Sequence, residues 1–210
     1  MKIDHWVRQL SNLPAHPSSE HLYRVDQDAG TLRLSNLCNY LKLVAAKEPT
    51  VLIVGEAPGY RGTKRTGVPF ASEKIVSGRG FGATLFTEAT DFKKISNDSI
   101  YVGESTSTIM WRTIDKCQAM PLLWAAYPHH PHNPGKAESN RAPTRAEILS
   151  GQPLILELIK LFGIKQVVAV GNVAYMSLRS LGIESKKIRH PSRGGAAIFE
   201  RQMMEVLWRR

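Results

Sequence analysis

The sequence predicts a three-layer α/β/α fold, a parallel sheet with helices on both faces. Short β-branched or apolar runs lead there: "TVLIVG" (50–55), "MPLLWAAY" (120–127) and "IKQVVAVG" (164–171), with "KKIRHPS" (186–192) as a weaker fourth. Each ends at a loop rich in Gly, Pro or His. Helical patterns separate the runs, and strands that alternate with helices form a parallel sheet buried on both sides.

Taken in order, Leu34, Leu37, Leu41 and Val44 recur at helical spacing ahead of the first strand. Residues 71–105 hold many Gly, Ser and Thr and little periodicity, so they are expected to form a long excursion with short helical pieces. Ile109, Ile114 and Cys117 mark the helix before the second strand. "TRAE" announces the next, with Thr144 capping the first turn and Glu147 reaching back in a capping box. Its body is expected to kink or break near Gly151 and Pro153. Asn172 opens a helix that runs through Leu181, and "GGAAIFERQMMEVLWR" reads as the closing helix. There are no repeats, and 210 residues suit one domain over 1–210.

Lys and Arg outnumber Asp and Glu by 28 to 18, a formal charge of +10. Such an excess favours a polyanionic partner, most simply nucleic acid, although composition alone does not separate that from an anionic membrane surface. The N-terminus lacks the unbroken apolar stretch of a signal peptide, and no window reaches the ~18 apolar residues of a membrane span. A soluble, cytoplasmic chain is the expectation. Cys38 and Cys117 are too few for a disulfide framework or a four-thiolate cluster and read as reduced, buried thiols.

In open α/β sheets the ligand site lies beyond the carboxyl ends of the strands, where "GEAPGYRG", "PHHPHNPGK" and "HPSRGG" fall. The first loop matches neither the phosphate-binding G-x-x-x-x-G-K-[ST] nor the dinucleotide G-x-G-x-x-G. Its tight turn lets backbone N–H groups approach a ligand, and Glu56 supplies a carboxylate at the strand end, unless that carboxylate pairs with a nearby Arg. His129, His130 and His132 alternate with Pro131 and have neither helical H-x-x-x-H spacing nor a Cys pair, so neither metal nor cofactor is expected.

"GEAPGYRGTKRTGVPF", "PHHPHNPG" and "HPSRGG", in that order and spacing, resemble the uracil-DNA glycosylase superfamily, and within it the bacterial branch without an iron–sulfur cluster. The resemblance covers roughly residues 50 to 195. It implies a central four-stranded parallel sheet and a monofunctional DNA-repair enzyme. Such an enzyme flips uracil out of single- or double-stranded DNA and hydrolyses its N-glycosidic bond, leaving an abasic site. It also implies a monomer without cofactor.

The same resemblance implies roles for residues. His190 would donate to the departing base and Glu56 would activate water, although branches of the family place that acid differently and Ala57 occupies another branch's Asp position. Gly55, Ala57, Pro58, Gly59 and Tyr60 would form the base-binding turn, with Phe70 stacking on the base. Gly59 falls where the best-known branch has a Tyr that excludes thymine's methyl group, so C5-modified bases become admissible. Ser192, Arg193 and Gly194 would press into the duplex, and Arg61, Lys64, Arg65, Lys136 and Arg141 would face phosphates, unless any of them is simply a solvated charge.

One departure stands out. Ala125 occupies the position of an Asn that reads the uracil edge in related sequences. Either another group reads the base here, or the chain is impaired, or the residue was altered deliberately. Trp124 and Ala126 are expected on the opposite face of the strand. A binding module with weakened chemistry and a small-molecule nucleoside hydrolase are the competing functions, the second disfavoured by the basic excess.

Overall fold

The structure is a computed structural model that describes residues 3–82, 85–87, 91–97 and 99–208. Residues 83, 84, 88–90 and 98 of the expected excursion, and Arg209 of the expected closing helix, lie outside the described residues.

The chain opens with α1 (Ile3–Asn12), β1 (Ser19–Glu20) and α2 (Asp28–Ala45), followed by β2 (Val51–Gly55). Two single-turn helices follow, α3 (Thr63–Thr66) and α4 (Glu73–Val76), and then α5 (Ser105–Cys117), β3 (Leu122–Ala125) and β4 (His130–Pro131). The remainder is α6 (Arg145–Phe162), β5 (Gln166–Val170), α7 (Gly171–Ser180), β6 (Lys186–Ile188) and α8 (Ala196–Leu207).

The four expected strands form one parallel sheet in the order β3-β2-β5-β6. Successive residues Leu52, Ile53 and Val54, which point to alternate faces, are all fully buried, so both faces are covered. Helices supply the cover: α1 packs on α2 and α6, and α5 packs on α8. The register sets Gly55 opposite Ala125, which brings the ends of β2 and β3 level.

Thr144 forms the expected capping box, accepting the Glu147 N–H at 3.3 Å while the Glu147 carboxylate accepts the Thr144 N–H at 2.6 Å. The expected break at Gly151 and Pro153 does not occur, and α6 runs unbroken across both. Gly151 serves packing instead: a Cβ there would lie 2.4 Å from the Ala126 carbonyl oxygen. Pro153 faces solvent beside the exposed Leu149, where water can satisfy the carbonyl that loses its partner.

The excursion between Ala71 and Glu104 is tied down by the buried Glu73. Its carboxylate accepts from Ser96 Oγ at 3.0 Å and the Val102 N–H at 2.8 Å, with Arg65 Nε 3.3 Å away. Cys117 is buried as expected; Cys38 is only half-buried, and both thiols are free. Among the described residues no helix is long and apolar enough to cross a membrane.

Four elements were not expected: α1, the short helix α3, and the strands β1 and β4. Ile3, Trp6, Val7 and Leu10 follow the i, i+3, i+4, i+7 pattern of an amphipathic helix, and this stripe seats α1 with Trp6 and Leu10 fully buried. The β1–β4 ribbon pairs Glu20 with His130 over two residues per strand, too short to leave a periodic signal.

Candidate active site

A cleft of about 1060 Å³ opens at the carboxyl ends of the four parallel strands. Residues of all three unusual loops line it, among them Glu56, Pro128 and His190, and Asn140 lines it as well. Strand polarity explains the convergence, because parallel strands deliver all their outgoing loops to one edge of the sheet.

Phe70 lines this cleft and is held by its backbone. Its N–H donates to Thr63 Oγ1 at 3.2 Å, and its carbonyl accepts from Ser107 Oγ at 2.6 Å and Trp111 Nε1 at 3.0 Å. These bonds fix it at φ 55°, a left-handed conformation that costs a non-glycine residue roughly 1–3 kcal/mol. The ring closes over Gly55, where a Cβ would stand 2.4 Å from Cζ. The far end of the ring therefore abuts the end of β2.

Glu56 follows directly. Its carboxyl makes no hydrogen bond or salt bridge among the described residues, so pairing with a nearby Arg does not account for it. Burial alone raises its pKa, which makes the carboxylate a stronger base than a solvated one. Its backbone carbonyl accepts the Tyr127 N–H at 3.1 Å, which ties the first loop to the end of β3.

His190 enters from the loop after β6. Its Nδ1 accepts the Ser192 N–H at 3.1 Å, and Ser192 Oγ lies 2.8 Å from the same nitrogen. A backbone N–H can only donate, so Nδ1 is the acceptor and the neutral ring carries its proton on Nε2. Burial, with Arg189 beside it, lowers the pKa of His190 and favours that neutral form. Nε2–H is thereby left as a donor.

A second carboxylate, Glu104, lines the same cleft, and sequence reasoning missed it. Burial pushes its pKa up to about 7 despite the opposing charge of Arg61. It had no motif to announce it, since it lies at the end of the aperiodic excursion.

Ala125 also lines the cleft, while Ala126, just past β3, is fully buried. Trp124 is buried against Trp6, ring centroids 4.8 Å apart, yet it also lines the cleft. Of the expected turn residues, Gly55, Ala57, Pro58 and Gly59 line the cleft. Tyr60 does not; its N–H donates to Asn140 Oδ1 at 3.0 Å and so joins the first loop to the second.

A model of the Uracil DNA glycosylase superfamily matches residues 41–207. The chain belongs to that superfamily. Its fold is similar to the crystal structure of wild-type SMUG2 from Pedobacter heparinus, with a TM-score of 0.66 at 12% identity over 98% of this chain and 96% of that one. No curated protein matches the chain. Superfamily membership supports a DNA-glycosylase type of function.

The basic residues expected at the DNA face of this glycosylase-like fold divide into two groups. Arg61, Lys136 and Arg193 are exposed and make no side-chain hydrogen bond or salt bridge among the described residues. Ser192 and Gly194 are exposed beside Arg193, which itself holds φ 51°.

The others are committed internally. Lys64 bonds the Ala137 carbonyl at 2.8 Å and pairs with Glu20 at 3.2 Å, and Arg65 lies against Glu73. Arg141 forms two 2.7 Å bonds to buried Glu147 and also donates to the carbonyls of His132 and Ser18. A phosphate role for these three would break bonds that brace the loops.

The histidines of the second loop face carbonyls rather than one another's lone pairs. His129 Nε2 lies 2.9 Å from the Leu13 carbonyl oxygen and His132 Nδ1 lies 3.0 Å from that of Asn133. His130 spans Pro58 at 2.7 Å and Ala137 at 3.1 Å, and so props the first loop from behind.

Proposed function

We propose that the chain is a monofunctional DNA glycosylase that flips uracil, or a related deaminated or C5-modified base, out of DNA and hydrolyses its N-glycosidic bond. The observation that carries this reading is the meeting, in one cleft, of three groups: the ring of Phe70, whose tip is held against Gly55, the unpaired carboxyl of Glu56 and the Nε2–H of His190. Each answers one demand of the chemistry. An extruded base needs a stacking surface. The sugar, as it gains positive charge, needs an activated water. The base, as it gains negative charge, needs a donor.

In this mechanism Glu56 accepts a proton from water as the water oxygen bonds to C1′. The C1′–N1 bond breaks and its electron pair leaves with the base. His190 Nε2–H hydrogen-bonds a carbonyl oxygen of that base, where the charge collects. The N-terminus of α7 also opens into the cleft through Gly171 and Asn172, and its positive end favours the same anion. Arg61, Lys136 and Arg193 would contact phosphates, with Ser192, Arg193 and Gly194 filling the gap left in the duplex. The partner is uracil-containing DNA, and the enzyme acts as a cytoplasmic monomer without cofactor.

Ala125 favours a second reading, a module that binds the flipped base and has lost efficient chemistry. One assay separates the two. The chain is incubated with a uracil-containing oligonucleotide, the product is treated with alkali, and the strands are resolved on a gel. Breaks at uracil support the enzyme. Uracil-preferring binding without breaks supports the module, and cleavage of free deoxyuridine as fast as of DNA overturns both.

A further inference from the structure

The cleft holds an apolar side chain where the family resemblance leads one to expect an amide, and a carboxyl where none was expected. Ala125 offers no hydrogen-bonding side chain, whereas Glu104 brings a carboxyl to the same cleft. Its Oε1 lies 2.7 Å from where a Cβ on Gly59 would be, and its Oε2 lies 2.3 Å from where one on Gly62 would be. The carboxyl thus fills the space that side chains at both positions would take. It makes no hydrogen bond or salt bridge among the described residues.

Its support is the element that holds the stacking ring. Glu104 is the N-cap residue of α5, and its carbonyl accepts the Thr108 N–H at 3.0 Å. Residues 104, 107 and 111 share one face of that helix, and Ser107 and Trp111 are the two that bond the Phe70 carbonyl. Glu104 is therefore one turn from the groups that place the stacked ring.

We infer that Glu104 is the specificity residue that meets the polar edge of the flipped base, supplying from its carboxyl the hydrogen bonds that Ala125 cannot. The inference rests on the glycosylase reading of the cleft. A protonated carboxyl carries one O–H donor beside one carbonyl acceptor, the same pair that a carboxamide offers, and it can serve the adjacent C=O and N–H of an oxo-pyrimidine or 6-oxopurine. Near neutrality Glu104 sits at the midpoint of that protonation, at about 7.

The charged groups around it set the sign. Arg61 holds the pKa down. Lys74 lies along Gly103 on the α4 side, and Glu56, His190, Arg189 and Arg193 share the cleft, while Arg141 is bound to Glu147. Above about pH 7 the ionised Glu104 only accepts, and it opposes a base carbonyl. A DNA phosphate on Arg61 would cancel the one charge that lowers this pKa and would keep the proton in place.

The test uses the full chain and double-stranded oligonucleotides that carry 2′-fluoro-deoxyuridine, whose glycosidic bond resists cleavage, or a tetrahydrofuran abasic analogue. Affinities are measured at pH 6.0 and 8.5 for the parent, Glu104→Gln and Glu104→Ala, with melting temperatures for each. The parent should prefer the base-bearing DNA, and that preference should fall about tenfold at the higher pH. Glu104→Gln should keep the preference at both pH values, and Glu104→Ala should lose it about tenfold or more. Arg61→Ala should move the inflection of the parent profile to higher pH. An unchanged preference in Glu104→Ala, or the parent's pH dependence in Glu104→Gln, overturns the inference. Failure to release any base from ordinary uracil DNA would instead overturn the glycosylase reading, and the binding comparison still decides Glu104.

Discussion

A methyl group on Gly55 would stand 2.4 Å from Cζ of Phe70, so the end of β2 and the aromatic ring are packed as closely as a glycine allows. A Cβ at this position has to push the ring aside. Phe70→Ala should weaken binding of an extruded base by about 1–3 kcal/mol, the usual worth of one base–aromatic stack. Gly55→Ala should act in the same direction, and the double variant should lose little beyond Phe70→Ala, since both remove one contact. Titration with uncleavable uracil DNA measures this, and a collapse in melting temperature for Phe70→Ala would assign the ring to the core instead.

His190→Ala should slow base release by about 10²–10³-fold while DNA affinity changes far less, because the donor acts on charge that develops in the transition state. Ser192→Ala should cost less, since the Ser192 backbone N–H still orients the ring. Single-turnover rates beside binding constants decide the matter. Equal losses in rate and affinity would make His190 a binding residue.

Glu56→Gln keeps the shape of the side chain and removes its basicity. Excision should fall by about 10²–10⁴-fold, the range for loss of a general base. Turnover near that of the parent would move water activation to another group in the cleft.

Ala125→Asn should restore an amide to the cleft wall and sharpen selection of uracil over cytosine. The same change at the fully buried Ala126 should leave an amide without partners and cost about 1–3 kcal/mol of stability. Excision kinetics on uracil, cytosine and thymine substrates, with denaturation of both variants, provide the check. An Ala125→Asn protein no faster and no more selective than the parent would remove position 125 from the base-reading role.

His129 predicts acid lability. Burial, with His21 stacked 4.1 Å away, lowers its pKa from 6.5 to about 3. The unfolded chain therefore binds the proton first as pH falls, and the stability held in neutral His129 is complete above about pH 6.5 and drains progressively toward pH 3. Urea unfolding at pH 7.5 and 5.0 should show the loss, and His129→Gln should flatten it. Equal slopes in the two proteins would assign acid sensitivity elsewhere.

The sheet was legible in the sequence because its strands are buried on both faces and so appear as continuous apolar runs, and α6 was legible because its capping box is local. Glu56, Phe70 and His190 were legible as cleft residues through the family resemblance of the loops that carry them. The break expected at Gly151 failed because the glycine answers to the Ala126 carbonyl, a neighbour that helix propensity does not see. The α1 stripe could have been found by its spacing.

By itself the sequence determined the layers, the strand ends and the residues that ride on them, all properties of short stretches of chain. Only the tertiary structure decided which charges are free. Arg61 and Arg141 look alike as basic residues in a loop, yet one is exposed and the other is locked to Glu147. It also decided that Glu104, 45 positions from Gly59, fills that glycine's missing side chain. The reason is that burial and pairing energies are set by neighbours distant in sequence, and a carboxyl's proton affinity follows those neighbours rather than its own place in the chain.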